Sequence, residues 1–280
     1  DETESFYLSI RWMPLASILG GLMFGYGMAL AGNCGYGAIA RLGGGDLRSF
    51  VIVLVMGVST YITLAGPLAP VRNLLFHQVD VTTDLPPGLA HHISALTGWP
   101  LAAIGIPIGL AICIAALWGA GLRRDPKAIF WSVVVGLAIV SGWAGTQWVN
   151  TNGFEALPVV SHSYSAPVGE TILWAMSGSL RPVSFAVGSV AGVWLGAFIG
   201  SLIRGHFRWE ACEDPRELRR QIIGAAVMGV GAVIAMGCTV GQGMSAFSVL
   251  AISAPVTFLA IFAGAALGLR QLIEGFSPAE

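Results

Sequence analysis

The chain has 280 residues, of which 55% are apolar and only 10% carry a charge, and its formal net charge is −1. Soluble globular domains carry about 25% charged residues, so this composition excludes that class and indicates an integral membrane protein. The near-zero charge also argues against nucleic-acid binding, which needs a clustered basic surface. The four cysteines have no CxxC or Cys/His spacing, so they predict neither a disulfide framework nor a zinc site.

Several apolar runs along the chain are long enough, or nearly so, to cross a bilayer, which takes roughly 20 residues. In chain order they are residues 12–31, 99–119, 128–148, 183–203 and 253–273. Two shorter runs, 49–66 and 221–236, each adjoin a glycine-rich stretch that contains a cysteine. We therefore predict an all-α integral membrane protein.

Three further segments are too short to cross the membrane. Residues 35–48 and 239–252 each follow a cysteine, and residues 168–180 are bracketed by Pro167 and Pro182. We predict that the first two form half-helices or re-entrant turns and that the third is another short helix. Lipid permits such breaks only where the freed backbone groups face protein or a wet cavity.

The basic residues predict how the helices are oriented. Two loops, 121–127 and 204–220, hold eight of the 14 lysines and arginines, and the positive-inside rule places both in the cytoplasm. The loop at 77–98, with Asp80 and Asp84, is then external. With no hidden crossing between residues 66 and 99, the run at 12–31 points inward and the run at 221–236 points outward. This predicts an inverted-repeat helical bundle whose half-helices meet near the membrane midplane.

The repeat itself is visible in two motifs, GNCGYG at residues 32–37 and GCTVGQG at residues 237–243. Cys34 and Cys238 are 204 residues apart, and the same offset pairs three further glycines, Gly20, Gly25 and Gly27, with Gly224, Gly229 and Gly231. We expect one transmembrane domain over residues 1–280, with pseudo-repeats at about 12–119 and 128–273. Because the chain begins with Asp1 and lacks a signal-peptide pattern, we also expect a truncated or processed start.

The two motifs favour an anion as ligand. Glycines beside a helix break let backbone N–H groups turn toward a cavity, and the following helix presents its positive end there. A thiol is a weak, polarizable donor that could pass an anion along without binding it tightly. The candidate substrate-binding residues are Cys34, Cys238, Asn33, Gly35, Gly37, Gly237, Thr239, Gly241 and Gln242. Alternatively, the cysteines fill buried space and the polar residues satisfy the broken backbone.

Nothing in the sequence indicates catalysis, a metal or a cofactor. There is no GxxxxGK[ST] motif for ATP. The adjacent pair His91 and His92 has no further ligand nearby, so we expect no metal site and interpret the histidines as solvated loop residues. Those histidines are His77, His91, His92, His162 and His206.

The two motifs, with Arg41-Leu42-Gly43 after the first and the run 185–205 followed by Phe207, resemble those of the YeeE/YedE family of membrane proteins, whose characterised members take up thiosulfate. The resemblance implies short membrane-embedded helices around a central path in the inner (plasma) membrane. It also implies a cysteine relay that passes thiosulfate inward and a TusA-like sulfurtransferase as cytoplasmic partner. Family members usually have another path cysteine, where this chain has Ser184, Phe185 and Ser189.

We therefore predict a transporter, and not an enzyme, that takes up thiosulfate or a related sulfur-containing anion through a path lined by Cys34 and Cys238. One alternative is a transporter of another sulfur or selenium anion. A second is a membrane thiol oxidoreductase in which Cys34 and Cys238 cycle through a disulfide. A third is an anchoring subunit that docks a sulfur-transfer protein through the loop at 204–220.

Overall fold

The computed structural model describes residues 5–76, 85–118, 120–153, 157–212 and 214–275. These residues form helices and connections, and their strand-like pairing is confined to isolated β-bridges. The helices are α1 (Phe6–Ser9), α2 (Pro14–Ala31), α3 (Gly35–Gly43), α4 (Leu47–Leu64), α5 (Ala69–Leu75), α6 (Leu89–Thr97), α7 (Leu101–Trp118), α8 (Ala120–Arg123), α9 (Pro126–Asn152), α10 (Ser165–Ser177), α11 (Phe185–Ile203), α12 (Pro215–Ile234), a π-helix (Gly241–Ala246) and α13 (Ser253–Glu274).

Within the described ranges, six helical segments are long and apolar enough to cross a membrane. They are Pro14–Gly43, Leu47–Leu64, Leu101–Trp118, Pro126–Asn152, Phe185–Ile203 and Ser253–Glu274. The predicted all-helical, multi-pass membrane architecture is thereby confirmed. Between residues 66 and 99, where the predicted orientation assumes no further crossing, the structure has the short helices α5 and α6. Asp80 and Asp84 lie outside the described residues.

Aspartate caps explain why three helices begin before the apolar runs that predicted them. The side chains of Asp46, Asp125 and Asp214 accept hydrogen bonds from the backbone amides two residues later, at 3.0, 3.0 and 2.8 Å. Such a cap satisfies one of the amides that a helix start leaves unpaired. Helices α4, α9 and α12 therefore each gain a polar first turn that a hydropathy pattern does not report.

The predicted short helix at 168–180 is displaced in the structure, where α10 spans Ser165–Ser177. We expected the helix to lie between Pro167 and Pro182. That placement was wrong because Pro167 lies in the first turn, where its missing N–H has no intrahelical partner to lose. The start of the helix thus moves into the serine-rich stretch before the proline.

The chain divides into two compact units, of which the larger comprises Met13–His77, His162–Gly243 and Pro255–Glu280. At its centre α2 and α12 pack antiparallel through glycines. A Cβ on Gly20 would lie 2.9 Å from the Gly231 carbonyl oxygen, and one on Gly27 would lie 2.5 Å from the Gly224 carbonyl oxygen. Only glycine allows the two backbones to approach this closely.

The helix boundaries of this unit follow the 204-residue offset. Shifted by 204, the bounds of α2, α3 and α4 become 218–235, 239–247 and 251–268. The observed counterparts are α12 at 215–234, a helical stretch that includes 239–246, and α13 at 253–274. The same order of long, short and long helix therefore occurs at both ends of the chain.

The starts of α4 and α12 are tied to the loop between α11 and α12. The Leu47 amide donates to the Glu210 carbonyl oxygen at 3.0 Å. The Arg48 guanidinium lies 3.9 Å from the Glu210 carboxylate and 3.8 Å from that of Glu217. Such part-exposed ion pairs stabilise little by themselves. Backbone hydrogen bonds hold this loop beside the start of α4, and they include those from the Arg208 and Glu210 amides to the Gly44 and Gly45 carbonyl oxygens, at 3.2 and 3.1 Å.

The second unit comprises Asp1–Trp12, Gln78–Ser161 and Met244–Ala254. Its small core consists of Tyr7, Leu8, Ala246, Ala251 and Ala254. The Leu89 amide donates to the Leu250 carbonyl oxygen at 2.9 Å, and the Trp143 indole donates to the Ser248 hydroxyl at 2.9 Å. Its helices α7 and α9 expose most of their apolar side chains, as expected for lipid-facing helices.

Candidate substrate-binding site at helix N-termini

Cys34 is the N-cap residue of α3. Gly32 ends α2 in the left-handed conformation (φ 80°), and the chain then turns through Cys34 into the short helix. The Cys34 Sγ accepts a hydrogen bond from the Gly37 amide at 3.4 Å. Because the sulfur acts here as an acceptor, its S–H proton remains available as a donor.

Cys238 has the same local geometry in the second motif. Its Sγ accepts from the Gly241 amide at 3.3 Å, and the left-handed position two residues before it is taken by Met236 (φ 57°). A left-handed residue other than glycine costs roughly 1–2 kcal/mol, so the surrounding structure must hold this turn in place. The two cysteines differ in burial, since Cys238 is 1% exposed and Cys34 is half-buried.

The amides beside the cysteines bond to the broken backbone. The Gln242 side chain is buried and donates to the carbonyl oxygens of Ala235 and Met236, at 3.0 and 3.2 Å. The Asn33 amide, oriented so that both its atoms are satisfied, donates to the Gly32 carbonyl at 3.0 Å and accepts from the Arg41 guanidinium at 3.2 Å. Both side chains therefore stabilise the helix breaks on which the cysteines sit.

The remaining predicted site residues lie in the same two turns. A Cβ on Gly35 would lie 2.9 Å from the Met56 sulfur, and one on Gly237 would lie 3.0 Å from Cγ of Gln242. Gly37 and Gly241 supply the amides that bond to the two sulfurs, and Thr239 is half-buried. A side chain larger than hydrogen at Gly35 would displace the buried Met56.

The start of α10 reaches both motifs, which the sequence analysis missed. The Ser163 hydroxyl lies 3.7 Å from the Cys238 sulfur. The Tyr164 ring lies 5.2 Å from the Tyr36 ring, which belongs to the first turn of α3. The only local signal was the run SHSYS at residues 161–165 ahead of a proline, a common pattern at helix starts.

Ser184 makes a third cap of the same kind, with a hydroxyl in place of a thiol. Its Oγ accepts from the Val187 amide at 3.3 Å at the start of α11 and donates to the Glu170 carboxylate at 2.6 Å. Ser184 lies in the region where the family resemblance leads one to expect another cysteine.

The interpretation of the histidines as solvated loop residues was wrong for three of them. His91 and His92 lie on α6. His162 is half-buried, stacks on the Tyr164 ring with centroids 6.4 Å apart, and shares a 2.7 Å hydrogen bond with the Ser189 hydroxyl. His77 lies outside the described residues. The His162 ring packs against the Tyr164 ring just before α10, and a pattern of single residues cannot predict such a contact.

Three helix starts, those of α3, of α10 and of the helical stretch after Cys238, are thus linked by contacts through residues 163–165. Helix N-termini carry unpaired amides and partial positive charge, and they stabilise anions. Thiol and hydroxyl groups stand beside these amides as further donors. Chemically, the arrangement suits an anion that combines oxygen and sulfur atoms.

Broken helices with buried ends, such as those described above, are typical of membrane transporters. The chain belongs to the sulphur transport (YeeE/YedE) family, whose model matches residues 5–267. The resemblance noted from the two motifs is thereby confirmed, and the family is one of transporters, not enzymes.

Two characterised relatives are similar to this chain. It is 26% identical over 252 residues to the thiosulfate transporter TsuA of Spirochaeta thermophila, an alignment that covers 85% of this chain and 72% of the relative. It is also 26% identical over 247 residues to the thiosulfate transporter TsuA of Escherichia coli, covering 82% of this chain and 66% of that relative.

Proposed function

We propose that the protein takes up thiosulfate, or a related sulfur-containing anion, across the inner (plasma) membrane along a path that passes Cys34 and Cys238. The observation that carries this proposal is the shared geometry of the two thiols. Each sulfur accepts the amide three residues ahead, at 3.4 and 3.3 Å, so each S–H is left to donate to a passing anion. The similarity to TsuA proteins supports thiosulfate as the substrate.

Helix termini offset the cost of moving the anion. A charge at the bilayer centre costs at least about 2.5–3.5 kcal/mol, whereas one helix N-terminus stabilises an anion by about 0.3–2 kcal/mol. A dianion therefore needs several termini, and the starts of α3, α10 and the stretch after Cys238 supply three. Thiols are weak donors, so the anion is bound loosely enough to leave again, as conduction requires.

We propose that two inverted pseudo-repeats, at about residues 12–119 and 128–273, build the path within a single domain. The contacts between α2 and α12 support it. The 204-residue offset turns the contact of Gly20 with Gly231 into that of Gly224 with Gly27, and both occur. A contact that maps onto another in this way is what a pseudo-twofold axis produces. In this arrangement α3 and the stretch after Cys238 are the re-entrant half-helices.

The lining of the path extends to the neighbours of the two thiols. Gly37 and Gly241 hold the sulfurs in place, and Thr239 offers a hydroxyl. The other members of this lining are Asn33, Gly35, Gly237 and Gln242. Since Gln242 and Asn33 bond to backbone carbonyls, their part is to keep the breaks open.

A cytoplasmic TusA-like sulfurtransferase is the partner we propose for the arriving anion. The segment 204–220 exposes four arginines, of which Arg204 and Arg208 lie before α12 and Arg216 and Arg219 lie in its first turns. The same segment also carries Glu210, Glu213, Asp214 and Glu217, so the partner needs an acidic patch that faces the exposed arginines. The exposed Trp209 supplies an apolar contact in the same loop.

Uptake of radiolabelled thiosulfate by cells or proteoliposomes tests the function. Cys34→Ser and Cys238→Ser should each abolish accumulation at matched expression, because a hydroxyl holds a sulfur-bearing anion differently from a polarizable thiol. Cys113→Ser is the matched control: Cys113 is exposed on α7 and should not be needed.

Other outcomes favour the alternatives. If the wild type takes up no thiosulfate but accumulates sulfite or a selenium oxyanion, thiosulfate is not the substrate, and the protein is still a transporter. If Cys34 and Cys238 change their thiol–disulfide state during turnover, the protein acts as a thiol oxidoreductase. If serine at both cysteines leaves uptake unchanged, the cysteine path is rejected.

A further inference from the structure

Three helix starts lie at the candidate site, those of α3, of α10 and of the stretch after Cys238. Of these three, the start of α10 has no side-chain cap. In the part of the chain that the structure describes, no side chain bonds to its first amides. The backbone amides of Ser165 and Ala166 find no acceptor there either. Ala166 is exposed, but Ser165 is buried, so the Ser165 amide is closed to bulk water and needs an acceptor from the protein or from a ligand.

The Ser165 hydroxyl is a second, independent sign of a ligand. Ser165 is the first residue of α10 and only 2% exposed. Its Oγ is fully buried and has no hydrogen-bond partner among the described residues. Buried hydroxyl groups are nearly always hydrogen-bonded because leaving one unpaired costs free energy. The hydroxyl therefore adds a donor to the first turn of the helix, beside the unpaired amides.

The two residues before Ser165 contact the two cysteine motifs. Ser163, two residues before Ser165, contacts the Cys238 sulfur at 3.7 Å. Between them, the Tyr164 ring packs against Tyr36 in the first turn of α3, and the Tyr164 carbonyl lies 3.8 Å from a Cβ built on Gly35. The start of α10 is thus placed between the two cysteine motifs.

We infer that the first turn of α10 binds the oxygen atoms of the transported anion, with the Ser165 hydroxyl as a specificity-determining donor. The inference rests on the proposed function and deepens it. Hydroxyl and amide groups are strong donors that suit the charged oxygens of a sulfonate group, while the thiols of Cys34 and Cys238 suit its terminal sulfur. Two kinds of donor would then recognise the two ends of one anion.

The test is binding of thiosulfate and of sulfite to the purified full chain in detergent, measured by calorimetry. Sulfite has sulfur-bound oxygens but no terminal sulfur. Ser165→Ala should raise the Kd of both anions by about 10-fold or more, the loss expected for a hydrogen bond to a charged group. Cys238→Ser should weaken thiosulfate binding more than sulfite binding. The matched control is Ser177→Ala at the other end of α10, where the hydroxyl donates to the Leu173 carbonyl at 2.7 Å.

Removing an unpartnered hydroxyl should leave the fold intact, which thermal unfolding checks. If Ser165→Ala does not fold, Ser165→Cys keeps the size and a weaker donor, and should give a smaller rise in Kd. A Kd for thiosulfate that stays within twofold of the wild type overturns the inference, even if the cysteine variants lose uptake and the proposed function stands. A wild type that binds neither anion also overturns it, whereas a wild type that binds both but takes up neither refutes only the transport function.

Discussion

At the scale of the residue, two cysteines and a serine use the same capping device. Cys34, Ser184 and Cys238 each cap a helix by accepting the amide three residues ahead. A hydroxyl and a thiol both serve as acceptors, so the cap does not itself require sulfur. The presence of sulfur at two of the three positions therefore points to a role beyond the cap.

This separates folding from transport in a testable way. Cys238→Ala removes the cap and should lower the free energy of unfolding by about 1 kcal/mol, the usual cost of losing an N-cap. Cys238→Ser retains an acceptor for the Gly241 amide and should unfold close to the wild type while losing uptake. The apparent midpoint of thermal unfolding in detergent measures the first effect.

The exposed Cys113 is the control for this pair, since Cys113→Ala removes a thiol that caps no helix. Equal destabilisation by alanine and serine at Cys238 would show that the sulfur acts through packing and not as a cap.

At the scale of the element, the glycines of α2 and α12 decide how close these two helices come. Contacts through Gly20, Gly27, Gly224 and Gly231 bring backbone against backbone. By contrast, the glycines of α11 at Gly188, Gly192, Gly196 and Gly200 would have nothing within 4 Å of an added Cβ. The same residue type thus marks a tight interface in one helix and an open face in another.

Alanine substitutions should separate these two uses of glycine. Gly231→Ala would place its Cβ 2.5 Å from the Phe24 amide nitrogen, and overpacking of this kind costs about 1–3 kcal/mol. Gly192→Ala should be neutral or stabilising, because alanine is the better helix former. Thermal unfolding of the two variants in one detergent measures the difference, and a Gly231→Ala variant as stable as the wild type would mean that the helices pack less closely than described.

At the scale of the whole molecule, the basic loop at 204–220, together with that at 121–127, fixes the predicted direction of the helices. The loop also carries Cys212, whose thiol donates to the Asp214 carbonyl at 3.2 Å and is partly accessible. The positive-inside rule puts the loop in the cytoplasm and the stretch at 77–98 outside. These placements have opposite consequences for a reagent that cannot cross the membrane.

In a background with serine at Cys34, Cys113 and Cys238, a membrane-impermeant maleimide should label Cys212 only after the membrane is permeabilised. Leu96→Cys in a chain that also carries Cys212→Ser is the counterpart, because Leu96 is 87% exposed on α6. This variant should be labelled in intact cells. Labelling of Cys212 in intact cells would reverse the predicted orientation, and labelling of both would indicate a leaky preparation or a different number of crossings.

The sequence by itself determined the class, the long apolar helices and the two cysteine turns. The composition and the length of the apolar runs indicate helices buried in lipid, and the 204-residue offset indicates a repeated segment. Both can be read from the order of the residues alone. The polar first turns of α4, α9 and α12 and the start of α10 were harder to predict, since caps depend on geometry that hydropathy does not encode.

Only the tertiary structure decided which atoms meet at the site. The contact of Ser163 with Cys238 joins residues 75 positions apart, and the stacking of His162 and the unpaired hydroxyl of Ser165 depend on how α10 packs against α4, α11 and α12. A serine in a polar run looks the same in sequence whether its hydroxyl is solvated or buried. Burial and long-range contact are consequences of packing, so the donors at the start of α10 became visible only in the folded chain.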